Sequence, residues 1–292
     1  MRPSSNQAAR LYASAKTHKF EDLNEITSEN LKLRPIMDQT GTMTYKASQI
    51  IADYLKPLAE NDYVIKDTLK FPDLLQNNPI NSNQEDISYD VVSLFTNVPV
   101  AETINYILHE IYNEQCIKPI CSKLIMKRLL EKLTSGSIFS FNNKLYRQTE
   151  GCAMGNPLSV ILANIYMAKL EKEVVTPLHP PLYTRYVDDI FCRKEKGDSD
   201  DLFQKLNQHH PNIKFTKESN LKAFLDTEIK LIDGTYHTSV YRRNKLPVNW
   251  NSKIPKKFKR NALNTDLHRA HKIASSFENE LTIIRRKYKY AD

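Results

Sequence analysis

Residues 184 to 192 read TRYVDDIFC, so Asp188 and Asp189 stand side by side between Tyr186, Val187, Ile190 and Phe191. Aromatic and β-branched residues suit strands. Neighbours on a strand point to opposite faces. One continuous buried strand would therefore drive at least one carboxylate into the core, at a cost of several kcal/mol if unpaired. A tight hairpin with the carboxylates at its tip avoids that cost, and this is the geometry expected here.

The rest of the chain must explain such a tip. Its 292 residues allow one large domain or two or three lobes. With 40% hydrophobic and 26% charged residues, a substantial core is expected. The 42 Lys and Arg against 34 Asp and Glu leave a net charge of +8, which weakly favours a polyanionic partner. The surplus gathers near the end, in KIPKKFKR, HRAHK and RRKYKY. The four cysteines, Cys116, Cys121, Cys152 and Cys192, form no C-x-x-C pair and no zinc-like set, and fit free thiols in a reducing compartment. MRPSSNQAAR lacks the apolar core of a signal peptide. The apolar run around PLSVILANIYM is too short to span a membrane. An intracellular, nuclear protein with no membrane partner is expected.

Residues 1 to 40 read as polar and loop-rich. Helical spacing runs from Tyr45 through Ile50, Ile51, Tyr54, Leu55 and Leu58, and DTLKFPDLLQNN predicts a shorter helix. QEDISYDVVSLFTNVPV predicts a strand that Pro99 ends. AETINYILHEIYNEQ, CSKLIMKRLLEKLTSG, LSVILANIYMAKLEKEV and DDLFQKLNQHH predict helices, with Ser159 placed to cap the third. SIFSFNNKLYRQTEG predicts two strands around an Asn-Asn turn. IKFTKES, AFLDTEIKLIDG and TYHTSVYRR predict strands, and the chain after Pro255 reads as helical and basic. Helices interleaved with hairpin strands predict an α+β fold, with helices on one side of an antiparallel sheet.

Asp90 closes the strand ISYDVVSLF about a hundred residues before Asp188. If the two strands are neighbours, the three carboxylates meet at one sheet edge. Hard divalent cations such as Mg²⁺ take oxygen ligands, often one or two carboxylates plus substrate phosphates. Two such ions ~3.5–4 Å apart clamp the attacking and leaving oxygens of a phosphoryl displacement. By itself an Asp-Asp pair is most often a solvated turn, so the surrounding motifs decide.

ISYDVVSLFTNVP, EGCAMGNPLSVILANIYM, RYVDDIF, FLDTEI and KTHK…LRPIMD stand in the order and spacing of reverse transcriptase motifs. The chain resembles, more narrowly, the reverse transcriptase domain of Penelope-like retroelements, and the likeness covers nearly all of it. The resemblance implies a right-hand polymerase of fingers, palm and thumb, with an antiparallel palm sheet backed by helices. Residues 1–89 would supply the N-terminal part of the fingers, 90–99 the palm strand carrying Asp90, and 100–150 helices and a hairpin shared by fingers and palm. Residues 151–250 would form the remaining palm and 251–292 a basic partial thumb.

The implied activity is RNA-templated addition of deoxynucleotides to a primer 3′-hydroxyl with two Mg²⁺ or Mn²⁺ ions. Its partners would be an RNA template, a DNA primer, their RNA–DNA hybrid and deoxynucleoside triphosphates. Asp90, Asp188 and Asp189 would be catalytic and hold the metals, together with the Val91 carbonyl. Arg34, Lys16 and Lys19 would grip the triphosphate, since a guanidinium offers forked donors to phosphate. Phe95 would crowd the sugar 2′ position. Gln148 would contact the nucleotide, and Gly155 would let backbone pass the incoming base pair, although alone it reads equally as a turn glycine. Phe224, Leu225 and Asp226 would support the primer end. Lys214 or Lys217 would protonate the leaving pyrophosphate; the sequence does not choose between them. Lys256, Lys257, Lys259 and Arg260 would contact nucleic-acid backbone. The family's proline after Ser159 is replaced by Val160, and the GIY-YIG endonuclease of Penelope-like elements has no counterpart segment here. The alternative reading is a catalytically inactive, retroelement-derived nucleic-acid-binding protein.

Overall fold

A computed structural model describes residues 8–16, 26–134, 138–242 and 252–288. The chain begins with strands β1 (Ala9–Ala15) and β2 (Leu33–Asp38), then helices α1 (Tyr45–Leu55) and α2 (Phe71–Asn77). Strand β3 (Gln84–Val91) leads to helices α3 (Leu94–Asn97), α4 (Val100–Tyr112) and α5 (Lys123–Thr134). The hairpin of β4 (Ile138–Phe141) and β5 (Lys144–Arg147) precedes α6 (Pro157–Leu170) and the short α7 (Thr176–Leu178). Strands β6 (Leu182–Tyr186) and β7 (Asp189–Glu195), helix α8 (Asp201–His209) and strand β8 (Phe215–Glu218) follow. Strands β9 (Ala223–Phe224), β10 (Thr227–Ile232) and β11 (Thr235–Val240) come next, then helices α9 (Lys256–Ile273) and α10 (Phe277–Lys287).

The chain weaves between two compact units. One comprises Met1–Asp62, Val91–His179 and Asp200–Thr216; the other comprises Tyr63–Asp90, Pro180–Ser199 and Lys217–Asp292.

In the first unit the expectation of loops before residue 40 is corrected. β1 and β2 pair antiparallel from Arg10↔Asp38 to Ala15↔Leu33, in a sheet of order β2-β1-β4-β5. Pro35 obscured this, because proline interrupts a ladder; β2 accommodates it by lying at the sheet edge. The Asn-Asn hairpin forms as expected: Asn142 and Asn143 sit at φ +48° and +57° between β4 and β5, as a primed turn requires. β3 ends at Val91 rather than running to Pro99, because Ser93 takes a left-handed conformation at the start of α3. The helix after GCAMGNP is apolar on nearly every face, and Leu158, Leu162, Ile165, Tyr166 and Met167 are all buried. Such a helix belongs at the centre of a core. Its N-cap is Asn156, whose side chain accepts from the Leu158 N–H at 2.9 Å; Ser159, expected there, is buried in the first turn.

The second unit holds β6, β7 and Gln84–Asp90 of β3, which pair in the order β6-β7-β3, and a sheet of order β11-β10-β9. Phe71, Leu75, Phe191, Phe224 and Tyr236 form its core, with the Phe71 ring centroid 5.1 Å from Phe191 and 4.8 Å from Phe224. Arg193, 2% exposed, crosses this core. Its Nε donates to Asp86 at 2.8 Å, Nη1 to the Asn78 carbonyl at 2.7 Å, and Nη2 to the Tyr236 hydroxyl at 2.6 Å. A buried guanidinium is tolerable only when its donors are satisfied in this way. The Tyr236 phenol also donates to Asp86, and burial followed by that carboxylate pushes its pKa up. The expected basic helices form as α9 and α10. Ala270, Ile273, Ile284 and Tyr288 pack with Val240 of β11.

Candidate active site

The TRYVDDIFC hairpin forms in the second unit. β6 and β7 pair antiparallel with Tyr186 opposite Asp189, leaving Val187 and Asp188 as a two-residue turn. β7 pairs antiparallel with β3 from Gln84↔Glu195 to Asp90↔Asp189. Tyr186, Asp189 and Asp90 therefore form one row across three strands, on one face, at the end of the sheet. Partners directly opposite in an antiparallel pair have Cβ atoms ~4.5–5.5 Å apart. Asp90 and Asp189 are exposed and Asp188 is half-buried.

Two carboxylates across one register position, with a third in the adjoining turn, form an oxygen-only donor set suited to a hard divalent cation. Among the described residues, no three Asp, Glu, His or Cys side chains already converge as a metal cage. A Mg²⁺ that keeps waters and substrate phosphates in its shell needs only one or two protein carboxylates, so the paired aspartates fit that kind of ion.

Asp189 also lines a cleft of about 660 Å³, with Tyr186, Leu225, Asp226, Arg269 and Lys287 among its walls. Leu225 and Asp226 are the turn between β9 and β10, where Phe224 pairs with Thr227 and Leu225 is held at φ +53°. Of the three residues expected to support a primer, Leu225 and Asp226 face this cleft. Phe224 is instead 4% exposed in the aromatic core and anchors the turn from below. The cations of the cleft are paired: Arg269 with Asp226 at 2.7 Å, Lys287 with Asp266 at 2.6 Å, and Arg242 with Glu280. Asp266 also accepts from the Tyr288 hydroxyl at 2.9 Å.

Arg34, Lys16, Phe95, Gln148 and Gly155 all lie in the first unit. Arg34 is exposed on β2, opposite Ser14, and Lys16 follows β1 with its N–H on the Lys32 carbonyl at 2.9 Å. Lys19 lies outside the described residues. The GCAMG segment is stapled on two sides: Cys152 N–H donates to the Phe95 carbonyl at 2.6 Å, and Met37 N–H donates to the Met154 carbonyl at 2.7 Å. A Cβ on Gly151 would lie 2.2 Å from the Thr96 carbonyl oxygen, and one on Gly155 would lie 2.3 Å from that of Met37. Both glycines also take left-handed φ values, +68° and +115°. The close approach is thus to this chain's own backbone. Gln148 borders a cavity of about 360 Å³ with Pro35, Met37, Thr96 and Cys152, and its Nε2 donates to the Glu150 carbonyl at 2.8 Å. Burial pushes the Cys152 thiol up to about 12.

In the basic segment, Lys256, Lys257 and Arg260 are exposed on the first turns of α9. Lys259 differs: it is 7% exposed, and its ammonium donates to the Ser252 carbonyl at 2.7 Å. That geometry ties it to the start of the helix rather than to the surface. Sequence reading missed the buried arginines Arg185, in LYTRY, and Arg193, in DIFCRKE.

The fold is that of the right-hand polymerases. A telomerase from Candida albicans, solved in complex with the TWJ fragment of telomeric RNA, aligns over 97% of this chain and 55% of its own, with a TM-score of 0.63 at 11% identity. An RNA-dependent RNA polymerase of a human picorbirnavirus, in an insertion loop deletion mutant, aligns over 97% and 58%, with a TM-score of 0.58 at 11% identity. The chain thus spans little more than half the length of these structures. Within that class the sequence is more specific: a family model described as reverse transcriptase (RNA-dependent DNA polymerase) matches residues 3–224, and the chain belongs to that family. No curated protein matches it. Among the described residues, no helix is long and apolar enough to cross a membrane.

Proposed function

We propose that this chain is the polymerase core of a Penelope-like reverse transcriptase, adding deoxynucleotides to a DNA primer on an RNA template. The observation that carries the reading is the register pair Asp90↔Asp189 at the end of the sheet, with Asp189 opening into a cleft edged by Arg269 and Lys287. Asp90, Asp188, Asp189 and the Val91 carbonyl would hold Mg²⁺ or Mn²⁺, which supplies charge neutralisation at the reacting phosphate. Tyr186, Leu225 and Asp226 would seat the primer end against that edge. Arg34, Lys16, Lys19 and Gln148 would hold the triphosphate and base, and Phe95 would exclude the 2′-hydroxyl.

Lys214 or Lys217 would be the proton donor for pyrophosphate. The Lys214 ammonium is occupied by the Asn207 carbonyl at 2.8 Å. In domain terms, the β6-β7-β3-β8 sheet would be palm, the β2-β1-β4-β5 sheet fingers, and α9 with α10 a short thumb. The site of action proposed with this reading is nuclear.

Primer extension tests this directly, on poly(rA) annealed to oligo(dT) with dTTP and Mg²⁺, comparing the chain with Asp188→Ala. Extension that the substitution abolishes supports the reading. A wild-type chain that binds the hybrid without extending it favours the inactive nucleic-acid-binding alternative. Faster incorporation of UTP than dTTP would point to an RNA polymerase.

A further inference from the structure

Charged side chains are almost never fully buried without structural partners, and Arg185 has them: among the described residues it is the largest fully buried side chain, at 0% exposure. It stands in β6, one residue before Tyr186 and three before Asp188. Its Nη1 donates to the Val187 carbonyl at 3.2 Å. Val187 is the turn residue held at φ +57°, where a β-branched side chain is a genuine outlier. Strained residues of this kind persist only when their surroundings over-determine them, and they cluster at functional sites.

The surroundings here are specific. The Arg185 N–H donates to the Tyr63 carbonyl at 2.7 Å, and its own carbonyl accepts from the Ile65 N–H at 2.9 Å. The neighbouring Thr184 hydroxyl donates to the same Tyr63 carbonyl at 3.0 Å. The base of Arg185 is thus fastened to residues 63–65, while its guanidinium holds the carbonyl of the peptide that joins Val187 to Asp188. Well-packed apolar residues often replace buried ionic groups with no loss of stability. Bulk alone therefore gives no reason for a guanidinium at this position, whereas its planar, directional donors suit the fixing of one carbonyl.

We propose that Arg185 is a positioning residue: by holding the Val187 carbonyl it sets the turn that presents Asp188, and with it Asp189, to divalent cations. This inference rests on the polymerase reading above, because it takes Asp188 as a metal ligand. At 0% exposure Arg185 would act through the turn and not by direct contact with metal or nucleotide.

The test measures Mn²⁺ binding to the full chain by electron paramagnetic resonance of free Mn²⁺, without nucleic acid or turnover. The variants are Arg185→Lys, Val187→Gly, their double, and Asp188→Ala. Arg185→Lys keeps the charge but loses the fork. It should weaken Asp188-dependent Mn²⁺ binding by roughly 10–100-fold, the usual effect of disturbing groups that orient metal ligands. Hybrid affinity should stay within twofold, and in primer extension kcat should fall while KM for dTTP holds.

Val187→Gly leaves Arg185 in place and frees the turn, so it should weaken Mn²⁺ binding without lowering Tm, and it decides the matter if Arg185→Lys does not fold. In the double variant the two losses should not add, since both act through one carbonyl. An Asp188-dependent Mn²⁺ site with wild-type affinity in Arg185→Lys, or in Val187→Gly should the lysine variant not fold, overturns the positioning role alone. Mn²⁺ binding and extension that are both indifferent to Asp188→Ala overturn the polymerase reading instead.

Discussion

Asp90 and Asp189 face each other across β3 and β7 in register, on one side of the sheet, with like charge. Like charges directly opposite in a sheet are destabilising, by about 0.2–1 kcal/mol on the scale of cross-strand pairs. The arrangement makes sense if a cation shares the position. Without divalent ions, Asp189→Asn should therefore raise Tm slightly, by up to about 2 °C for a chain of this size. Adding Mg²⁺ should raise the Tm of the wild-type chain and leave that of Asp189→Asn nearly unmoved. Differential scanning fluorimetry with and without Mg²⁺ checks both; a variant less stable than wild type in the chelated state would show that the pair is held by something other than a shared cation.

Phe95 sits half-buried on α3, its carbonyl fastened by the Cys152 N–H at 2.6 Å. If its ring excludes the 2′-hydroxyl, Phe95→Val raises the single-turnover rate with UTP relative to dTTP, because a clash is removed rather than an attraction added. An unchanged ratio in an active Phe95→Val chain would place the sugar gate elsewhere.

The glycines of GCAMG separate two costs. Gly151→Ala and Gly155→Ala meet backbone oxygens at 2.2 and 2.3 Å as well as a left-handed φ. Each should lose about 1–3 kcal/mol or more to overpacking and strain. Gly197 has φ +77° with nothing within 4 Å, so Gly197→Ala should lose only the ~1 kcal/mol left-handed penalty. Urea denaturation of the three variants would reveal the order, and equal losses would mean that the close approaches to Thr96 and Met37 contribute nothing.

In the basic segment, Lys256, Lys257 and Arg260 are exposed while Lys259 donates to the Ser252 carbonyl. Neutralising the three exposed cations should flatten the dependence of log K on log salt for hybrid binding, by about 0.9 for each phosphate no longer neutralised. The change should be the same for every sequence, since phosphate contacts carry no base information. Lys259→Met should instead lower Tm and leave the salt slope alone. A slope unchanged in the triple variant would remove α9 from the nucleic-acid surface.

Burial raises the Cys152 and Cys192 thiols from 9.0 to about 12, while Cys116 is exposed. A raised folded pKa favours the protonated folded state, so this stability is complete below pH 9 and drains away between about pH 9 and 12. Iodoacetamide at pH 8 should label Cys116 long before Cys152 and Cys192, and mass spectrometry of the timed reaction reads this out.

Local chemistry was enough to read much of the fold. The adjacent carboxylates required a turn and the Asn-Asn pair a hairpin, and β6–β7 and β4–β5 obey these demands; α6 was legible as a helix, and its burial on nearly every face came from packing. Asp90 and the Asp188–Asp189 pair were legible as candidates only through the ordered motifs around them, since an Asp-Asp pair by itself is most often a solvated turn. Where local signals conflict, tertiary structure decided. Residues 1 to 40 read as polar loop, but β1 and β2 pair there, with Pro35 tolerated at the sheet edge. Asn156 rather than Ser159 caps α6, because a cap depends on where the backbone turns and not on residue type alone. Phe224 and Lys259 were read as surface contacts from their motifs, and long-range packing turned both inward. The pairing of Asp90 with Asp189, separated by about a hundred residues, is a matter of register. Register is set by which faces of β3 and β7 the whole sheet buries, and so are the two arginines that no local pattern would place inside a protein.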